Sequence, residues 1–528
     1  MADPMANHVI LDALIPREDF EIIPDKSDAP GKDTIQLTDL QNGAFFYEAL
    51  RKPDFQRETL EWEPGRVVGL VRTFVNDELI PAVILWQHKG LIFVIDGSHR
   101  LSALVAWVQD DYGSGERSQK FFHNTIPEEQ DRVSSRTRTM MQKEFGSYAD
   151  HQEAVKTPAL YGPEIVRRSR LLGTLSLRIQ WVRGDMSKAE DAFIRINQKA
   201  AIISPEELEL IQSRYRPNTI AARAVLRKGT GHEYWSSFPK EQKEKVKEIA
   251  SEIHQLLFLP DLRYPLTSVD LPAGGATYSP TALRMVFDFI RVCVDIAAEQ
   301  DDKEGKETIE YLVRTRKVMK TILSKDAGSL GLHPAVYFYS WTGKQQPILF
   351  LTLAKLVVDL ERAKQFPKFI KARGELEKFL IGNRALTNQV VRKFGSKGSG
   401  GVHLREFYEF LIDAFSHGEI SENAAEKLVS NSNFSFLQPG EEPYLTNQPG
   451  RVSSAVKSGI VLRDLLAASH VCPICKGYVP SQSISIDHDT RKIDGGSSSP
   501  ENLQVTHPYC NTGVKENLAS VQKSLKGA

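Results

Sequence analysis

The sequence predicts a multidomain α+β chain, with a mixed α+β N-terminal domain, a mostly helical middle and a small C-terminal module built around clustered Cys and His. Three observations carry this. The short apolar runs "PAVILW" and "LIFVID" are followed at once by apolar residues at helical spacing. Beyond about residue 230, strand signals thin out and long amphipathic segments take over. Near the C-terminus, "CPIC" and "HPYC" set three of the chain's four cysteines and one histidine in two knuckles of equal spacing. A chain of 528 residues has room for roughly three or four cores of ~150 residues.

Charge sets few limits. Formal net charge is zero and the pI about 7.2, so any nucleic-acid contact must use local patches rather than a global basic field. The N-terminus lacks a basic segment followed by an apolar core, and Lys355 interrupts the most apolar later run, "PILFLTLAKLVV". The expectation is a cytoplasmic protein with no membrane partner. Four cysteines in so long a chain do not make a disulfide scaffold, which leaves metal as the better use of Cys472, Cys475 and Cys510.

Taken in order, residues 1–34 contain the polar, Pro/Gly-punctuated "PDKSDAPGKDT" and read as a flexible arm. Residues 35–230 form the α+β domain. Within it two strands meet at a tight turn ending in Gly90, and Leu101, Leu104, Val105 and Val108 then mark a helix entered through "DGSHR". Residues 231–438 form the helical domain, where Ile309, Leu312, Val313, Met319 and Ile322 share one helix face. Cys293 and the aromatic run "PAVYFYSW" read as its core. Residues 439–454, with Pro and Gly at both ends of "PGEEPYLTNQPG", read as a linker to a last module over 455–528.

In that module Cys472, Cys475, His507 and Cys510 form a Cys3His set suited to one tetrahedral, structural Zn2+. About 60 to 70 residues bury too little apolar surface for much stability, so a closed metal site can supply folding free energy. Between the knuckles stand "SISIDH", a Gly/Ser-rich loop and "PENLQV". With the knuckles, this order of C-x2-C, Asp-His, Gly-Gly, Asn-Leu and a final knuckle followed by Asn resembles the ββα-metal fold of the HNH endonucleases over roughly residues 455–520. The resemblance implies His488 as general base, Asp487 and Asn511 as ligands of a catalytic Mg2+ or Mn2+, and Asn502 as the residue that holds the base imidazole. The chemistry agrees: phosphodiester hydrolysis needs a water deprotonated near neutral pH and a hard cation at the phosphate, and histidine titrates in that range. The family more often has Cys at the position of His507 and, in many members, His at that of Asn511. From Arg451 onward nine Lys/Arg stand against six Asp/Glu, a modest excess that fits phosphate contact. Lys515 is either a phosphate contact or part of a solvated helix face.

"VIDGSHRLSALVAWV" has the form of a strand–Gly–helix turn, which exposes backbone N–H groups to an anion while His99 and Arg100 add donors. His99 could equally cap its helix. With "PDFQRETLEW" upstream and "AEDAFIRINQKAA" downstream, residues 36–215 resemble the ParB/sulfiredoxin-like domain of the GmrSD-type modification-dependent restriction enzymes. In that family the central motif binds a nucleoside triphosphate and supports its hydrolysis. Matched positions give Gln56, Arg57, Asp96, Gly97, Arg100 and Asn197 as nucleotide-binding, and Ser98 and His99 of the same motif join them as departures from its pattern. Ser98 and His99 stand where the family motif has two glutamines. Arg57 and Arg195 could also serve in ordinary salt bridges, and "RRSR", Arg167 to Arg170, either touches phosphate or is a solvated charge run.

Together these readings predict a DNA endonuclease of a restriction or anti-phage system, cutting or nicking foreign or modified double-stranded DNA under nucleotide control. A double-strand break from one HNH site would require two chains to pair as a homo-oligomer. The alternatives are a nucleotide-switched DNA-binding regulator whose zinc-stabilised HNH fold is inactive, and a toxin-like non-specific nuclease.

Overall fold

A computed structural model describes residues 8–18, 32–53, 62–122, 124, 126, 128–184, 188–190, 192–193, 195–196, 209–210, 212–262, 264–277, 281–294, 300–395, 398–440 and 452–514. The chain divides into two compact units, one of Met1–Tyr215 with Thr230–Ser236, the other of Arg216–Gly229 with Ser237–Ala528.

The first unit is built on a mixed sheet of strands β1 (Arg17–Glu18), β2 (Thr34–Ile35), β3 (Leu50–Pro53), β4 (Val83–His88), β5 (Leu91–Asp96) and β6 (Leu177–Trp181). Their order across the sheet is β1-β3-β5-β4-β6-β2. The β4–β5 pair is the expected hairpin, antiparallel through Leu85↔Val94 and Gln87↔Ile92 and closed by Lys89 and Gly90. Side-chain alternation sorts these strands onto two apolar faces. Val83, Leu85, Ile92 and Val94 join the main core with helices Pro64–Val75 and Ser98–Val108, whereas Trp86, Phe93 and Ile95 pack on the other face against Ala189, Ala192 and Phe193. Burial on both faces is why these strands read as continuous apolar runs.

Part of the expected N-terminal arm is built into this core. Val9, Leu11, Leu14 and Ile15 are buried, and β1 pairs in parallel with β3. The reason lies in the apolar "HVILDALI", which the polar stretch after it obscured; residues 19–31 of that stretch lie outside the described residues. Asp12 is buried with this segment, its carboxylate accepting from Lys52 Nζ at 2.9 Å and from Arg17.

The second unit is mostly helical. Lys240–Phe258, Ala282–Val294, Lys306–Ile322, Pro347–Arg362, Phe366–Gly382, Ser399–Ser416 and Ser454–Ala468 are among its longer helices. Pro347 begins its helix where a missing N–H costs nothing. Phe289 and Phe338 both pack on Phe350, at ring separations of 5.0 and 5.4 Å. Tyr337, Phe338 and Tyr339 of the "PAVYFYSW" run are buried, and Cys293 is half-buried on its helix. The cysteine-bearing module lies in this same unit; most of the expected linker, 441–451, is outside the described residues. No helix among the described residues is long and apolar enough to cross a membrane.

Two buried histidines should make this unit sensitive to acid. His254 Nδ1 faces the Val225 carbonyl at 2.9 Å, and His333 Nδ1 accepts from Ala335 N at 3.2 Å. Burial holds each well below its ordinary range, at about 4. The unfolded chain takes up these protons near pH 6.5 and the folded one only near 4, so stability is full above about 6.5 and falls as pH drops toward 4. Each site contributes up to roughly 3 kcal/mol of that loss. Thermal unfolding followed from pH 7.5 to 4.5 should show this slope, and His254→Gln should flatten it.

Candidate metal centre and nuclease site

Helix Ser454–Ala468, capped by the Ser453 hydroxyl, leads into β7 (His470–Val471), which pairs antiparallel with β8 (Tyr478–Val479). The first knuckle is the turn of this hairpin. Cys472 N donates to Gly477 O and Lys476 N to Cys472 O, both at 2.9 Å, so Cys472 and Cys475 turn to one side. The second knuckle brings His507 and Cys510. The four ligand atoms lie within 4.8 Å of one another and all four residues are buried.

The donor set fits a metal ion such as zinc. His507 Nε2 is 3.0 Å from the Tyr478 carbonyl, which fixes the proton there and presents the bare Nδ1, 3.3 Å from Cys475 Sγ. Burial, then the nearby Arg373 guanidinium, push this imidazole below its ordinary range, in favour of the neutral, ligating form. Hydrogen bonds from Cys475 and Cys510 hold the Cys472 thiol far below its usual range, and the same pairing pushes Cys475 up to about 12 and Cys510 higher still. Three thiolates at this spacing need a cation before all can ionise.

Beside the knuckles run β9 (Ser485–His488) and β10 (Leu503–Thr506), antiparallel through Asp487↔Gln504 and His488↔Leu503. Asp487 is buried and its carboxylate accepts from Gln504 Nε2 at 3.3 Å. His488, at the strand end, is half-buried with Nε2 3.4 Å from Ser498 Oγ. Asn511 follows Cys510 on the short π-helical turn Cys510–Val514. Its Nδ2 donates to Ser485 Oγ at 2.9 Å and to Ile486 O at 3.1 Å. Ser485 and Asp487 are two apart and share a strand face, so Asn511 is fastened to the face that carries Asp487. Thus "HPYCN" divides: His507 and Cys510 join the cluster, and Asn511 joins β9.

The Asn502 side chain bonds to the loop after His488. Its Oδ1 accepts from Thr490 N at 2.8 Å, and its Nδ2 donates to Thr490 O at 2.9 Å and Ser497 O at 2.7 Å. The side chain therefore closes the loop that begins directly after His488. Gly496 is needed there: a Cβ would lie 1.9 Å from Thr490 O. Lys515 lies outside the described residues.

In the first unit, β5 ends at Asp96, and Gly97, with φ of 95°, turns the chain into the helix Ser98–Val108. A Cβ at Gly97 would also meet Val83 Cγ1 at 2.7 Å. Arg100 donates to Asp96 at 2.7 Å and to Ala82 O at 3.3 Å, while its buried Nε has no hydrogen-bond partner among the described residues. Ser98 is buried at the helix start. His99 stacks on Trp62 at 5.6 Å, and the Arg66 guanidinium lies 4.8 Å over the same indole. Gln56, Arg57 and Asn197 lie outside the described residues; Arg195 is exposed. Arg167 and Arg168 both pair with Glu164, as a solvated charge run does.

With this geometry in hand, the comparison with known families is specific. Residues 37–215 match the family model of the GmrSD restriction endonuclease, N-terminal domain. The match covers less than half of the chain and ends where the first unit's main segment ends, at Tyr215. Comparison with curated proteins and with solved structures finds no match. The GmrSD-type assignment thus rests on the N-terminal unit, and the C-terminal Cys3His cluster on its own geometry.

Several residues at these sites carry no sequence signal. Trp62 and Arg66 flank His99 from a separate helix start, and Gln504 reaches Asp487 only through the β9–β10 register. That register follows once two strands are drawn with His488 opposite Leu503, so Gln504 was the one recoverable in principle.

Purified protein should contain one tightly bound zinc per chain, measured by elemental analysis. Cys510→Ser should lose most of it and lower the thermal midpoint of the second unit by several degrees.

Proposed function

We propose that this chain is a restriction-type DNA endonuclease whose C-terminal site hydrolyses phosphodiesters and whose GmrSD-type N-terminal domain binds a nucleoside triphosphate that controls it. The observation that carries the reading is the fastening of Asn511 to the Asp487 face of β9, one residue past the Cys3His cluster and beside the strand end that bears His488. A carboxylate and an amide oxygen suit a hard divalent ion, Mg2+ or Mn2+. When bound there, the ion would neutralise charge on the scissile phosphate and the leaving oxygen.

The remaining chemistry falls to this chain's side chains. His488 takes a proton from the attacking water, whose oxygen bonds phosphorus as the bond to the leaving sugar oxygen breaks. Asn502 fixes the loop after His488 and so limits where the imidazole can swing. Asp487, whose carboxylate accepts from Gln504 Nε2, would supply one oxygen to such an ion. In the N-terminal domain, the turn at Gly97 and the start of the following helix suit a phosphate, and Arg100 would exchange its Asp96 partner for it. Gln56, Arg57, Ser98, His99 and Asn197 would complete that pocket. Foreign or modified duplex DNA is the substrate this pairing of domains favours.

Plasmid cleavage tests both halves. His488→Ala should lower Mg2+- or Mn2+-dependent cutting by roughly a hundredfold or more while DNA affinity stays unchanged. Asp96→Ala should lose the dependence of cutting on added nucleotide; equal cutting by Asp96→Ala and wild type at every nucleotide concentration would remove the control step. Unaltered cutting by His488→Ala would remove the catalytic assignment. Binding without any divalent-ion-dependent cutting in wild type would favour a DNA-binding regulator.

A further inference from the structure

The helix Phe366–Gly382 carries an arginine and a glutamate whose side chains are entirely buried. Arg373 Nε donates to Glu377 Oε1 at 2.6 Å. As a device for stability alone such a pair is weak, since apolar side chains of similar volume often serve as well. What apolar side chains cannot do is hold backbone groups, and these two hold several.

Glu377 Oε1 also accepts from the Tyr337 hydroxyl at 2.9 Å, and its Oε2 accepts from Tyr478 N at 2.6 Å. The Tyr478 carbonyl accepts from His507 Nε2, and the His507 carbonyl accepts from Asn511 N at 3.0 Å. A continuous polar path therefore runs from the helix through a cluster ligand to Asn511. The Arg373 guanidinium meanwhile donates to the carbonyls of Leu330 and, at 2.8 Å, Gly331. Those residues end a loop that grips both arms of the nuclease site: Ser329 O accepts from Tyr509 N at 3.0 Å, Ala327 O from Thr512 Oγ1 at 2.8 Å, and Ser324 O from the Ser483 hydroxyl. Ser483 lies just before β9, and Tyr509 and Thr512 bracket Asn511. The helix approaches the first knuckle closely enough that a Cβ on Gly374 would meet Lys476 Cβ at 2.6 Å.

We propose that Arg373 and Glu377 are positioning residues of the C-terminal site: they hold the Cys3His cluster from outside and, through His507 and the loop 324–331, set where Asn511 meets Asp487. The helical segment is then part of the nuclease rather than a spacer before it. The part concerning Asn511 rests on the nuclease reading above; the part concerning the cluster does not.

The test uses the full chain with Glu377→Gln, with Tyr337→Phe as the milder variant and Lys378→Ala, on the exposed side of the same helix, as control. Two quantities are measured: the rate of zinc transfer to a chromogenic chelator, and the Mn2+ concentration giving half-maximal plasmid nicking. Glu377→Gln should release zinc about tenfold faster and Tyr337→Phe about threefold faster, with circular dichroism unchanged. Both should raise the Mn2+ midpoint several-fold while nicking at saturating Mn2+ stays within about threefold of wild type. Lys378→Ala should match wild type in both. Zinc release at the wild-type rate in Tyr337→Phe and in folded Glu377→Gln would overturn the proposal; should Glu377→Gln fail to fold, Tyr337→Phe decides. Faster release with an unmoved Mn2+ midpoint would overturn the placement of Asn511. A wild type that nicks nothing would count against the nuclease reading, and the release rate alone would then decide the role of the pair.

Discussion

Three thiols and an imidazole drawn within 4.8 Å of one another make the constraint on which the C-terminal module depends. Left to themselves the sulfurs must share protons, since like charges so close cannot all form; a cation at their centre removes the conflict and turns it into cohesion. Little else could do so here. The strands of the module are two to four residues long and pair only in twos, lengths at which a hairpin is marginal without something to pack on. The cluster and the polar grip of the helix Phe366–Gly382 add to the few apolar side chains buried there, Leu462, Leu465, Leu466 and Val479.

The two candidate sites share a design. Each places an aspartate at the end of a strand, where the backbone is rigid and the next residues turn away: Asp96 closes β5 and Asp487 is one residue from the end of β9. Their partners differ in kind. Asp96 meets the guanidinium of Arg100, a group an anion can claim, whereas Asp487 meets the neutral amide of Gln504. Both are sharpened by close backbone approach at glycine, Gly97 in one and Gly496 in the other.

Much of this was legible in the residues themselves. The hairpin of β4 and β5, the helix after it, and the meeting of Cys472, Cys475, His507 and Cys510 all follow from local patterns: alternation, helical spacing and knuckle spacing. That Asn511 would stand near this strand came instead from the family resemblance, not from a local pattern. What could not be read was long-range and polar. "KARGELE" shows Arg373 and Glu377 four residues apart, the spacing of an ordinary exposed helix pair, and nothing local says that both are buried. Gly374 in mid-helix was the one hint, because glycine there weakens a helix unless a neighbour needs the space. Asn502 illustrates a different limit. Its importance was visible, but whether it would hold an imidazole or a loop depended on a three-dimensional path. At the N-terminus, charged and proline-rich residues masked a short apolar segment that completes the sheet.

That N-terminal segment bears on where the chain can be shortened. Because β1 forms the rim of the sheet and Asp12 reaches inward to the ammonium of Lys52, a truncated protein begun after residue 18 would bare a hydrogen-bonding margin and deprive an interior cation of its carboxylate.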